Sequence, residues 1–154
     1  MVDVSITLEE FIYACATGDL EKVKKYISLG MDINKKSDHT PTPLWAALAE
    51  RQFIMAEFLL KNGVEINKDD LLIHNCVLTD VDAYLWELEF ENTNKKEPDS
   101  IYIDFILRYK VDLNDLDSRG MSALDIAIEK KHPKAEKLLR RLGAKISKDI
   151  NNEV

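Results

Sequence analysis

Residues 42–67, TPLWAALAERQFIMAEFLLKNGVEIN, decide the reading of the whole chain. Leu44, Ala47 and Leu48 form one apolar stripe at helical spacing, and Met55, Phe58, Leu59 and Leu60 form the next. Pro43 suits a first helical turn, where its missing N–H costs nothing. Gly63 follows a helix end, where a left-handed cap is cheap only for glycine. The stretch predicts two short amphipathic helices joined by a tight turn.

Outward from it the pattern recurs. VKKYISLGMDIN ends at Asn34, AEFLLKNGVEIN at Asn67 and IDFILRYKVDLN at Asn114, so the aligned asparagines stand 33 and then 47 residues apart. The second interval is the first with about 14 residues inserted. A fourth copy, EKLLRRLGAKIS, ends at Ser147, again 33 residues on. FIYACATGDL, TPLWAALAERQF and SALDIAIEKKHP lie upstream in the same register. Gly18 marks a turn between helices, and Gly30 and Gly143 follow helix ends as Gly63 does. Thr7 and Glu10 have capping-box spacing, Pro133 suits a first turn, and Ala14, Ala47 and Ala127 allow close helix approach. Leu138, Leu139 and Leu142 are expected to face inward from a terminal helix whose lysines and arginines cover the outside, a polar end cap of the kind stacked repeats need.

Residues 42–67 thereby resemble the ankyrin repeat family, with its Thr-Pro-Leu-His-x-Ala opening and its leucine pair, glycine, hydrophobic residue and asparagine ending. The resemblance covers residues 8–147 and implies an all-α solenoid of about four helix-turn-helix repeats: 8–36, 37–69, 70–116 with the insertion, and 117–147. A polar tail, 148–154, completes an expected single domain. Trp45 stands where the family has His and is expected to pack in its place, while Arg51 and Lys131 replace the glycine between helices. The third repeat lacks a recognisable opening.

Composition sets the class. With 45% hydrophobic and 32% charged residues, the chain is a globular composition without a membrane-length apolar run or a leader layout at its start, and a cytoplasmic protein is expected. Cys15 and Cys76 lie far apart without metal spacing and are expected as buried thiols. The net charge of −7 is uneven: residues 130–148 carry eight Lys and Arg against Glu136, and residues 1–129 carry −12. An acidic body disfavours nucleic acid as the main partner. The basic end is expected as a solvated helix face near a helix C-terminus.

No catalytic or cofactor constellation is found. His39, His74 and His132 fall in different repeats without a partner at ligand spacing. No two glycines are closer than 12 residues, so no phosphate cradle is present. Residues 115–120 glance at a calcium loop, but Arg119 and Ile126 occupy ligand positions. Asp69 and Asp70 are expected as solvated turn residues.

The insertion carries the distinctive chemistry. Residues 79–99 hold seven acids against Lys95 and Lys96, and three of the twelve aromatic residues. Val77, Val81, Tyr84, Leu85 and Leu88 recur at helical spacing, predicting one helix from about Leu71 to Glu89, then a polar loop to Pro98. Trp86 and Phe90 share a different face, near the carboxylates of Asp82 and Glu87. They are either an exposed binding patch or rings folded back against the repeats.

The resemblance also implies docking at hairpin tips and first helices. The matching positions are Asp38, His39 and Pro41; Ala49 and Glu50; Ser118, Arg119 and Met121; and Glu129 and Lys130. In the third repeat they are Leu71, Leu72 and His74, unless these begin the lengthened helix and are buried, the favoured alternative. The expected function is non-catalytic binding, as a monomer and without cofactor or membrane contact, of another protein, basic by charge complementarity. Alternatives are a dedicated inhibitor, such as an immunity protein or antitoxin of a basic toxin or nuclease, and nucleic-acid contact through residues 130–148.

Overall fold

The computed structural model describes residues 5–66 and 71–154; Asn67, Asp69 and Asp70 lie outside them. The described residues are helical, with no strand and one isolated bridge, between Leu116 and Ser122. They group into two compact units, divided between Glu65 and Ile66.

The first unit holds α1 (Leu8–Thr17), α2 (Leu20–Ser28), α3 (Pro43–Ala49) and α4 (Phe53–Lys61). α1 pairs with α2, α3 with α4, and α1 packs on α3. Thr7 caps α1 reciprocally with Glu10, as their spacing predicts. Thr42 caps α3, with Pro43 in its first turn. Ala14 and Ala47 are fully buried.

The periodic asparagine has a physical reason. Asn34 Nδ2 donates to the Gly63 carbonyl at 3.1 Å, and its Oδ1 accepts the Glu65 amide at 2.8 Å. In the second unit Asn114 Oδ1 accepts the Lys145 amide at 2.9 Å. Each side chain thus fastens one helix-pair ending to the loop 31 residues further on.

The second unit holds α5 (Leu72–Phe90), α6 (Ile101–Ile106), α7 (Ala123–Glu129), α8 (Pro133–Arg141) and α9 (Ser147–Asn151). α5 packs on α6 and α7, and α7 pairs with α8. The expected long helix is present: α5 runs 19 residues where α7 runs 7. Val77 and Val81 are buried, but Leu85 and Leu88 are exposed, correcting the expected stripe. α5 is 19 residues long against 6 in α6, and its outer end is joined to the 91–99 loop through Tyr84 and Glu87. Leu142, expected inside, follows the end of α8 and is exposed beside left-handed Gly143. Part of the expected tail forms α9.

Gly18, Arg51 and Lys131 occupy the same turn between paired helices, with φ of 74°, 57° and 53°. The residue after each donates to the helix five residues back: Asp19 to Ala14, Gln52 to Ala47 and His132 to Ala127. A side chain there costs roughly 1–2 kcal/mol, and glycine returns up to about 1 kcal/mol in unfolded-state entropy. Arg51→Gly and Lys131→Gly are therefore expected to stabilise the chain by about 0.5–1 kcal/mol each, read as a raised thermal midpoint. Gly18→Ala differs, because its Cβ would meet Gln52 Oε1 at 2.3 Å as well.

Candidate protein-docking surfaces

What positions the outer end of α5 is a carboxylate on its inner side. Asp80 is 3% exposed, in phase with Val77 and Val81. Its Oδ1 accepts the Tyr102 amide at 2.9 Å and its Oδ2 the Ile103 amide at 3.1 Å. Those are the second and third residues of α6, whose own N-cap, Ser100, supplies no side-chain cap. Asp80 therefore caps α6 from another helix and places a negative charge at its positive end. His132 Nδ1 accepts the Ala135 amide at 3.4 Å, capping α8, and its Nε2 stands 3.6 Å from Asp80 Oδ2. Asp80 is one of the seven acids of residues 79–99, and its helical phase with Val77 and Val81 is the sequence signal that it faces inward.

The loop after α5 is tied down by charge. Lys95 Nζ donates to Glu87 at 2.6 Å and to Asp99 at 2.8 Å, and Lys134 reaches Asp99 at 3.1 Å. Hydrogen bonds from Lys95 and Lys134 hold the Asp99 carboxyl below the usual carboxylate range. Glu87, a candidate docking charge, is thus also engaged within the chain. Asp82, Glu89 and Glu91 are exposed and have no cationic partner among the described residues.

Trp86 and Phe90 are 54% and 64% exposed, with ring centroids 5.5 Å apart and planes tilted by 38°. Leu85, 54% exposed, is the residue before Trp86 and is turned about 100° from it round the helix. Among the described residues the end of α5 is the place where large apolar side chains cluster in solvent between unpaired carboxylates.

The hairpin-tip positions divide. Asp38, His39, Pro41, Ala49, Glu50, Ser118, Lys130 and Glu129 are exposed. Arg119 is exposed but its guanidinium is held by Asp117 at 3.0 and 3.1 Å. Met121 is half-buried, its amide bound by Asp117 and its carbonyl by the His74 Nε2–H at 3.1 Å. Leu72 and His74 are buried, 5% and 2% exposed, and Leu71 is half-buried with φ 45°, so Leu72 is removed from the docking set. The reason is register: Leu71 to His74 occupy the N-cap and first turn of α5, as Thr42 to Trp45 do in α3. The third helix pair has an opening after all, one whose N-cap is an uncapping leucine.

Cys15 and Cys76 are both buried, as expected, and burial pushes the Cys15 thiol up to about 12. Burial, with Asp80 nearby, raises Cys76 as well. No helix among the described residues is long and apolar enough to cross a membrane.

Together with Asp99, two further depressed carboxylates predict that the second unit loses stability in acid. Burial raises Asp125 and Asp117, but it is outweighed by hydrogen bonds: from Ser122 and Ser147 to Asp125, and from Met121 and Arg119 to Asp117. Both end below the usual carboxylate range. A depressed folded value stabilises above the unfolded one and loses that contribution as pH falls through it. The thermal midpoint is expected to be flat from about pH 7 to 5 and to descend below about pH 4, with Asp125→Asn flattening the descent.

Comparison with known proteins bears on the helix pairs. No protein-family model matches the chain. The chain is 29% identical over 123 residues to "Putative ankyrin repeat protein YahD" of Escherichia coli (strain K12). The likeness to the ankyrin repeat family is supported. The match covers 80% of this chain and 54% of that protein, so the chain spans about half the length of the curated relative it matches. The helical pairs and their asparagine clasps agree with an ankyrin-like all-α fold, and such a fold suggests a protein-interaction module.

Proposed function

We propose that the chain is a non-catalytic module that binds a basic protein, built as one array of four repeats with the third lengthened by about 14 residues. The observation that carries the reading is the solvent-exposed Trp86–Phe90 pair beside Asp82, Glu89 and Glu91. Exposed aromatic pairs anchor interfaces, and unpaired carboxylates around them speed encounter with a cationic surface. The exposed tip residues Asp38 and Glu50 are likewise acidic, and His39 and Glu129 are further exposed candidate contacts. Inhibition of a basic toxin or nuclease would use this surface unchanged.

Internal pairing weighs against nucleic acid. Of the eight cations in residues 130–148, Lys130, Lys134, Arg140 and Lys145 are each in an ion pair, with Glu129, Asp99, Glu136 and Glu153 respectively. Counterion release from DNA scales with the charges free to meet phosphate.

The test is affinity capture from the host lysate, with wild type beside the Trp86→Ala/Phe90→Ala variant. One basic protein recovered near equal stoichiometry with wild type and lost with the variant supports the reading. Partners retained equally by both would remove the α5 end from the binding site. DNA retained at low salt and released steeply with added salt would transfer the function to the basic end.

A further inference from the structure

The first unit contains a groove that the α5 surface does not explain. Tyr13 of α1, 67% exposed, and Trp45 of α3, half-buried, line it, above a floor of Ala16, Ala46 and Ala49. Glu9 and Glu50 stand at its edge, both exposed and neither engaged by a cation among the described residues. The space is about 340 Å³, the lower end of ligand-pocket size and suited to one long side chain rather than a large molecule. Thr40 also lines it, and its hydroxyl is buried without a hydrogen-bond partner. Trp45 thus does not simply fill a packing position; it is only partly buried and lines the groove.

We infer that this groove receives an arginine side chain of the protein partner. The chemistry is complementary at each level. A guanidinium lies flat on aromatic faces, and indole is the strongest such face. Its aliphatic stem covers small apolar surface while the head stays polar. Its five N–H donors suit the two carboxylates, whose charge an acidic or neutral side chain would leave uncompensated. A lysine shares the charge but has neither the plane nor the fork.

The inference rests on the chain being a protein-binding module, and its test is independent of the α5 surface. Amide and indole NMR shifts of the full chain are followed while titrating Ac-Gly-Ser-Arg-Ser-Gly-NH2, then the same peptide with lysine or with citrulline, the neutral isostere of arginine. Trp45→Phe and Trp86→Phe assign the two indole signals. Saturable shifts at the Trp45 indole are expected, at least fivefold weaker with citrulline and weaker with lysine. Glu9→Gln/Glu50→Gln, which changes exposed side chains only, is expected to weaken arginine binding at least threefold. Equal binding of citrulline, no loss in the glutamine variant, or no saturable shift at Trp45 would overturn the groove as a cation site. Equal binding of lysine would overturn the guanidinium assignment. Shifts centred on Trp86 would sink this inference while leaving the proposed function standing.

Discussion

Asp80→Ala is expected to cost about 3 kcal/mol of stability, lowering the thermal midpoint by roughly 6–12 °C. The carboxylate is 3% exposed and accepts two amides, at 2.9 and 3.1 Å, in the first turn of a helix whose N-cap side chain does not cap it. An orphaned buried donor costs about 1–3 kcal/mol, and alanine withdraws the Asp80 acceptor from two amides. The His132 ring, with Nε2 3.6 Å away and no hydrogen-bond partner, also loses the group it faces. Asp80→Asn keeps one acceptor oxygen and is expected to cost about half as much. It separates a lost cap from a lost side-chain volume, which asparagine preserves. Chemical denaturation reads both variants, and a loss under about 1 kcal/mol for alanine would mean α6 is held by packing alone.

Asp80 also marks where sequence reading stopped. The helix pairs, Thr7 with Glu10, Pro43, Pro133 and the glycine turns were legible because they are local: each depends on neighbours within one or two turns. The asparagine period was visible, yet its cause, a clasp spanning 31 residues, was not. Asp80 pairs across 22 residues with α6, so in a linear count it is one acid among seven. The same holds for Glu87, whose engagement with Lys95 depends on the loop folding back. Leu72 was ambiguous for a different reason. A leucine at an N-cap gives no capping signal, so the start of α5 could not be distinguished from a loop tip. Trp45 was legible as a departure from the family pattern, but its share in a groove depends on Tyr13 and Pro41 in other segments.

Trp86→Ala with Phe90→Ala is expected to weaken partner binding tenfold or more, on the order of 2 kcal/mol, while leaving the fold intact. The separation follows from what the rings touch. The two rings contact each other, with centroids 5.5 Å apart, and both are more than half exposed, so truncation opens no cavity in the core. The helix that carries them is anchored further back, by Val77, Asp80 and Val81, and by the Glu87–Lys95 pair on a neighbouring face. Alanine is also the better helix former at both positions, which offsets the lost ring contact. Circular dichroism and thermal midpoint are therefore expected to match wild type within about 2 °C, against a tenfold change in Kd. Salt separates the two components of the surface. Asp82→Asn with Glu89→Gln is expected to slow association and flatten its salt dependence, whereas the aromatic variant is expected to speed dissociation. A midpoint lowered by many degrees in the aromatic variant would make the rings part of the core and remove the α5 end as a docking surface.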